Sequence, residues 1–408
     1  MHVAAGRFTG LTVEWQAGWR NTNAVPISRR TVSASQGGIM AADDTQAAPA
    51  ASNLVTPVTN ATVDRTWHEG FLFSGTGGEY FGIWIVNILL SVLSLGIYSA
   101  WAKVRRMQFF YRNTQLAGAG FDYHANPWAI LKGRLIAGGI MSAYYGLAFV
   151  SPIAGGVAFV VVLGLMPWFI TRALRFRLYN TSYRGLRFRF TGTTFEAYKV
   201  FVLWPLATVF TLGLLGPMWH QRLKRYVHSN AWYGRTPFSF HATIGSFYGV
   251  YLQAFGLLAA FVAVGGVLAG PFLVGAMASG GSTRTIGIIV GVLVAVLLYL
   301  SGSLTLWAFT TSRIQNLAWN NTHLGPHQFV SSIGAGRLAF ITVTNLLGVV
   351  LTLGFYKPFA VVRLTEYFLS QSRVAVSGSL NDFVAGEKLS VGASGEEAVE
   401  MFDLDLAV

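Results

Sequence analysis

Carboxylates beside apolar sequence are scarce in this chain, so the few present are the first place to look for chemistry. Glu79 and Glu196 each stand at the entrance of an apolar run. A carboxylate there can hold a cation or relay a proton. At the start of a helix it can equally complement the dipole. Asn87 and Asn345 lie inside apolar runs, where they either line a polar path with the glutamates or hydrogen-bond between helices. Arg105, Arg172, Arg222, Arg313 and Arg363 recur at the ends of apolar runs. As a ring they could bind an anion or a lipid phosphate; singly, each is an interfacial anchor. His323 and His327 are four apart, but Gly325-Pro326 between them stops a regular helix from presenting both to a metal. No HExxH, P-loop or GxSxG pattern occurs, and GTGG at 75–78 does not continue into a phosphate loop. The chain has no cysteine, so disulfides, thiolate metal sites and cysteine nucleophiles are excluded. The residues point to no catalytic group, metal or cofactor.

The arginines belong to a longer spacing. An Arg, an Asn eight residues on and a Phe eight further recur as Arg105/Asn113/Phe121, Arg172/Asn180/Phe188, Arg222/Asn230/Phe238 and Arg313/Asn321/Phe329. A glycine follows each Asn by four or five residues: Gly118, Gly185, Gly234 and Gly325. Asn followed by Gly is helix-end or turn chemistry, because both tolerate a left-handed backbone. Alternating segments come next, such as LRFRFTGT after Gly185 and PFSFHAT after Gly234. Period-two alternation suggests short strands, and three or more could form a small sheet at a membrane surface.

These residues must be carried by apolar elements. Hydrophobic residues are 53% of the 408-residue chain and charged residues 11%, with a mean hydropathy of +0.49. A soluble domain carries roughly 25% charge; this surface must face something other than water. The net charge of +13 sits beside apolar segments, which points to anionic lipid headgroups rather than nucleic acid. The apolar runs are Phe81–Ser99, Ile130–Val150, Ile153–Ile170, Val200–Gly216, Val250–Leu273, Ile286–Phe309 and Phe340–Phe355. The second and third, and the fifth and sixth, read as helical hairpins. The first, fourth and seventh are short, and basic stretches flank them. Residues 1–66 are polar and without period, and are expected to be disordered. Met40 opens an ordinary-looking start, which makes 1–39 a candidate over-extension. Residues 67–383 read as the transmembrane domain and 384–408 as an acidic, exposed, partly helical tail.

The segments Phe71–Arg105, Phe188–Arg222 and Phe329–Arg363 align without gaps, bringing together Leu95-Gly96, Leu212-Gly213 and Leu353-Gly354. The expected fold is therefore an all-α polytopic membrane protein of about two and a half parallel repeats, with short interfacial helices and small β segments at the surface. The string LGIYSAWAKVRR and the following NTQLAGAGFDYHANP resemble the signature of the bacterial YjgN-like family of inner-membrane proteins, over roughly residues 68–405. That resemblance implies a bacterial cytoplasmic-membrane location and transfers no functional residue. Two topologies compete: all seven runs cross, which is slightly favoured, or only the two hairpins cross and the short runs are re-entrant. Both put the C-terminus inside. Two functions compete as well. The first is a transporter or channel for a small solute or ion, its path lined by Glu79, Glu196, Asn87 and Asn345. The second is a non-catalytic scaffold or anionic-lipid-binding protein acting through the arginines. Oligomeric state is not legible.

Overall fold

The structure, a computed structural model, describes residues 67–394. The 1–66 segment, with the suggested start at Met40, and the end of the tail beyond 394 lie outside the described residues.

The all-α expectation is overturned. Ten short strands close into an antiparallel barrel in the ring order β1-β10-β9-β8-β7-β6-β5-β4-β3-β2. They are β1 (Trp67–Phe73), β2 (Thr114–Leu116), β3 (Ala119–Tyr123), β4 (Thr181–Tyr183), β5 (Leu186–Phe190), β6 (Ala231–Tyr233), β7 (Thr236–Phe240), β8 (Thr322–Leu324), β9 (His327–Ser331) and β10 (Ser372–Val376). Each piece is too short to stand alone; a lone two-stranded hairpin is marginal in water. Closure satisfies every edge, and it joins strands that lie far apart in sequence. That is why local alternation suggested strands yet could not disclose a barrel.

The barrel is stitched by two-residue turns, and the variable Asn-to-Gly spacing follows from their geometry. At Ala117-Gly118 and Arg184-Gly185 both central residues have positive φ, the type I′ pattern. At Gly234 and Gly325 only the first does, because Arg235 or Pro326 follows, the type II′ pattern. Glycine comes five residues after Asn in the first pair and four in the second.

Between successive strand hairpins the chain leaves the barrel as a helical hairpin. These are α1 (Gly77–Leu93) with α2 (Ser99–Arg112), α3 (Pro127–Val150) with α4 (Pro152–Tyr179), α5 (194–210) with α6 (Gly216–Ser229), α7 (Ile244–Ala278) with α8 (Gly281–Asn320), and α9 (Ala335–Leu351) with α10 (Lys357–Ser370). Two and a half repeats thus become five strand-bounded helical hairpins among the described residues. A final helix, α11 (Leu380–Ser394), follows β10 and straddles the boundary drawn at 383/384.

The barrel also bears on how the helical hairpins meet a membrane. The strands flanking each helical hairpin are paired neighbours: Phe190 of β5 opposes Ala231 of β6, and Ser331 of β9 opposes Ser372 of β10. Each hairpin therefore returns to the barrel end it left, so every basic stretch at a barrel-proximal helix end lies on one side. The short helices α1 and α9 have 17 residues each, about 25 Å at 1.5 Å per residue, less than the roughly 30 Å hydrocarbon core. They turn at Leu95-Gly96, Leu212-Gly213 and Leu353-Gly354. In each turn the glycine N–H bonds five residues back, to Ser91, Thr208 and Val349, at 2.7 Å every time. This is a Schellman closure, but with leucine at the left-handed position, at φ +51°, +52° and +50°. That backbone costs roughly 1–2 kcal/mol for an L-residue. These leucines are 95%, 96% and 91% exposed, as tips inserted in lipid would be. Proline marks the joints: Pro217 and Pro358 open α6 and α10, and Pro205 follows a wide π-turn at Lys199–Leu203 within α5.

Candidate functional site

The arginines share one depth. Arg105, Arg172, Arg222, Arg313 and Arg363 each lie seven residues before their helix ends, at Arg112, Tyr179, Ser229, Asn320 and Ser370. That sets all five about 10 Å from the barrel along their own helices. Each guanidinium sits over an aromatic ring: Tyr98 at 6.0 Å, Trp168 at 4.7 Å, Trp204 at 5.8 Å, Phe309 at 5.5 Å and Phe340 at 5.9 Å. Arg105, Arg172 and Arg313 are exposed, while Arg222 and Arg363 are half-buried. Arg363 donates to Thr344 Oγ1 at 2.7 Å and Asn345 Oδ1 at 3.3 Å. Cations stacked on aromatics at an apolar–polar boundary suit phosphate recognition.

Below the arginines the asparagines end the helices. Asn113, Asn180, Asn230 and Asn321 donate from Nδ2 to the carbonyls of Phe109, Phe176, Tyr226 and Leu317, at 2.8, 2.7, 2.9 and 2.8 Å. Their own carbonyls accept from Ser74, His124, Thr191 and His241, the residues just past the neighbouring strands. Gln371 accepts from Ser332 in the same way. The backbone at these residues is right-handed, with φ between −82° and −110°. Asparagine is used here for its side-chain donor; the left-handed role falls to the turn residues that follow, Ala117-Gly118, Arg184-Gly185, Gly234 and Gly325.

The acidic and amide candidates sit elsewhere. Glu79 and Glu196 are exposed and complete capping boxes with Thr76 and Thr193. Asn87 donates to Ala102 O at 3.5 Å and Asn345 to Ala360 O at 3.1 Å, in both cases across one helical hairpin.

The Phe residues of the sequence spacing do converge. Phe121, Phe188, Phe238 and Phe329, with Tyr183 and Tyr233, line a cavity of about 420 Å³ inside the barrel. Tyr183 OH donates to Leu116 O at 2.8 Å, and Tyr233 OH to Tyr183 O at 3.0 Å, so neighbouring strand hairpins are also tied through side chains. The cavity continues between the helices past buried Lys224 and Gln315 to Trp307. None of the five arginines, the two glutamates, Asn87 or Asn345 lines it.

Sequence reasoning missed two parts of this site. His327 and His323 lie on adjacent strands facing opposite ways: His327 is buried in the cavity wall, while His323 stacks edge-on with His241 at 5.1 Å. Alternation across Gly325-Pro326 was the available signal. The second part is α11, which closes the turn end of the barrel. Phe383 stacks on Tyr233 and meets the His327 ring edge-on at 4.8 Å. Glu387 accepts from Arg235 N at 2.5 Å and Thr236 Oγ1 at 2.6 Å, and Asn381 accepts from Arg184. Three of the four turn glycines, Gly185, Gly234 and Gly325, abut this helix.

Residues 68–401 match the family described as bacterial protein of unknown function (DUF898). The chain belongs to that family. Among its relatives, the inner membrane protein YjgN of Escherichia coli strain K12 is 28% identical over 151 residues, 36% of this chain and 37% of that protein. The protein of the same name from Salmonella typhimurium strain LT2 is 27% identical over 147 residues, 35% of this chain and 37% of that protein. The matched stretch therefore spans little more than a third of these relatives. No solved structure matches. The family member described here is a bacterial inner-membrane protein. Helices Pro152–Tyr179, Ile244–Ala278 and Gly281–Asn320 are long and apolar enough to cross a bilayer.

Proposed function

We propose that the protein binds anionic phospholipids, holding its barrel against the cytoplasmic face of the inner membrane. Two long helical hairpins cross the bilayer, and three short ones dip into it. The observation that carries this reading is the arginine belt, with five guanidiniums at one depth, each on an aromatic ring. The sidedness follows from the excess of Lys and Arg around the barrel-proximal helix ends, which is retained on the cytoplasmic side. What supports lipid binding over transport is the position of the acidic and amide groups. Glu79 and Glu196 complete caps and Asn87 and Asn345 brace hairpins, so all four have structural employment away from the cavity.

The test is lipid enrichment. The protein is purified from membranes of mixed phosphatidylethanolamine and phosphatidylglycerol, and bound lipid is counted by native mass spectrometry. A basic side chain near an anionic surface contributes about 1 kcal/mol, or about fivefold in affinity. Replacing Arg105, Arg172 and Arg313 by Gln should abolish most phosphatidylglycerol enrichment while leaving the fold intact. Undiminished enrichment in the triple variant would remove the reading.

A further inference from the structure

The barrel interior carries a second site, independent of the arginine belt. Its wall is aromatic, and its volume of about 420 Å³ lies within the roughly 300–1,000 Å³ of small-molecule sites. One polar atom in that wall has no partner. His327 is 1% exposed, its Nδ1 accepts from Ser377 N at 3.3 Å, and its Nε2 is buried without a hydrogen bond. Acceptance at Nδ1 puts the proton on Nε2. Burial also pushes this imidazole below its ordinary titration range, so the ring is a neutral single donor. An unmet buried donor costs about 1–3 kcal/mol, and a buried polar atom left this way calls for an occupant. The cavity extends along the helices toward their apolar segments. The cavity reaches Trp307 on α8, thirteen residues before Asn320 ends that helix, about 20 Å toward the membrane. At the opposite end Leu380 and Phe383 of α11 form part of its wall.

We propose that the barrel binds a neutral, lipid-soluble chain molecule bearing a carbonyl oxygen, taken from the bilayer, with that oxygen accepting from His327 Nε2–H. The aromatic wall receives the chain, and α11 closes the far end so that the ligand enters and leaves on the membrane side. An anionic head is disfavoured at the His327 end, because a neutral imidazole among aromatic rings offers one hydrogen bond and no charge to offset desolvation; the cations of the lining, Lys224 and Arg373, belong to its helix end.

The full chain in nanodiscs is photolabelled with a sixteen-carbon methyl ester carrying a terminal diazirine, and with the hydrocarbon of the same length carrying the same diazirine. The expected result is saturable labelling of peptides from β3, β7 or β9, with the ester about fivefold tighter than the hydrocarbon, the worth of one neutral hydrogen bond. His327→Leu should erase that preference, and His327→Gln, which keeps a donor, should retain part of it. Phe238→Trp, which fills the barrel, should displace both probes. Equal affinity of the two probes for the unaltered protein would overturn the proposal without any variant having to fold. So would labelling confined to the outer faces of α3, α4, α7 and α8. The arginine-to-Gln triple variant should label normally, which separates failure here from failure of the headgroup reading.

Discussion

The amide of Asn180 and the imidazole of His327 show two ways a polar side chain is used in this molecule. Asn180 reaches back to Phe176 O at 2.7 Å, while its own carbonyl takes the His124 N–H at 2.8 Å. One residue thereby ends a helix and joins it to the strand of the preceding hairpin. Asn180→Ala should lower stability by about 1 kcal/mol, read as a fall in the thermal midpoint of the detergent-solubilised protein. An unchanged midpoint would mean that the carbonyl contact alone holds the junction. His327 makes a pH prediction. Its folded-state titration lies below the unfolded imidazole value of about 6.5 because of burial. Between those two values the unfolded chain binds more protons, so stability rises with pH across the window. The contribution is complete above about pH 6.5 and is lost as pH falls through the window toward the folded value. Denaturant titrations at pH 5 and pH 7.5 should show this loss, and His327→Gln should reduce it. An undiminished loss in that variant would assign it to other groups, such as His323, whose titration burial and the neighbouring His241 also lower. The sequence spacing made the Asn legible, because a helix end needs the same chemistry every time. It hid the His, because the pair was weighed only as helical metal ligands and set aside at Gly325-Pro326, while the strand pleat sends the two rings to opposite faces.

At the scale of elements, α11 and the hairpin turns form one assembly. Gly234 has φ +58°, and a methyl group there would run into the Glu387 carboxylate. Gly118 has φ +74° with open space around it. Alanine is strained at both positions, by roughly 1–3 kcal/mol and more at Gly234, whose type II′ position takes glycine, but only at Gly234 does it also press on α11. Hydrogen exchange should therefore speed up across residues 380–394 in Gly234→Ala and stay slow in Gly118→Ala. Equal behaviour of the two variants would show that the Glu387 contacts do not hold the helix. This docking could not be read locally. The sequence 384–408 is acidic and looks like a solvated tail, yet Val384 is 4% exposed and belongs to the main core cluster. What seats α11 is a set of turns that only barrel closure brings to one rim.

For the whole molecule, the decisive property is that every helical hairpin begins and ends on the barrel. Topology then follows without reference to hydropathy. Single cysteines at Gln115, Gly185, Trp232, His323 and Ser379 all fall at or beyond the barrel, whereas Ser151 and Gly280 lie at the tips of the long hairpins. In the naturally cysteine-free chain, the first five should resist a membrane-impermeant maleimide in intact cells and react after permeabilisation. The two tip positions should label from outside. Labelling of Trp232 and His323 in intact cells would refute the arrangement, because their strands would then lie on the far side of the membrane.

Several features are written in the sequence alone: the membrane class, the arginines recurring at the ends of apolar runs, and the asparagine helix ends. Each depends on local rules, namely apolar length, snorkelling and capping, which act within about one helical turn or one hairpin. Tertiary structure decided the rest. Strands of three to seven residues carry too little local energy to declare a sheet, and their partners lie up to several hundred residues away, as Trp67 does from Val376. Closing that ring turned an expected helical bundle into a barrel, returned the short helices to the barrel end they left, gathered the spaced phenylalanines into one cavity, and gave helix α11 a seat.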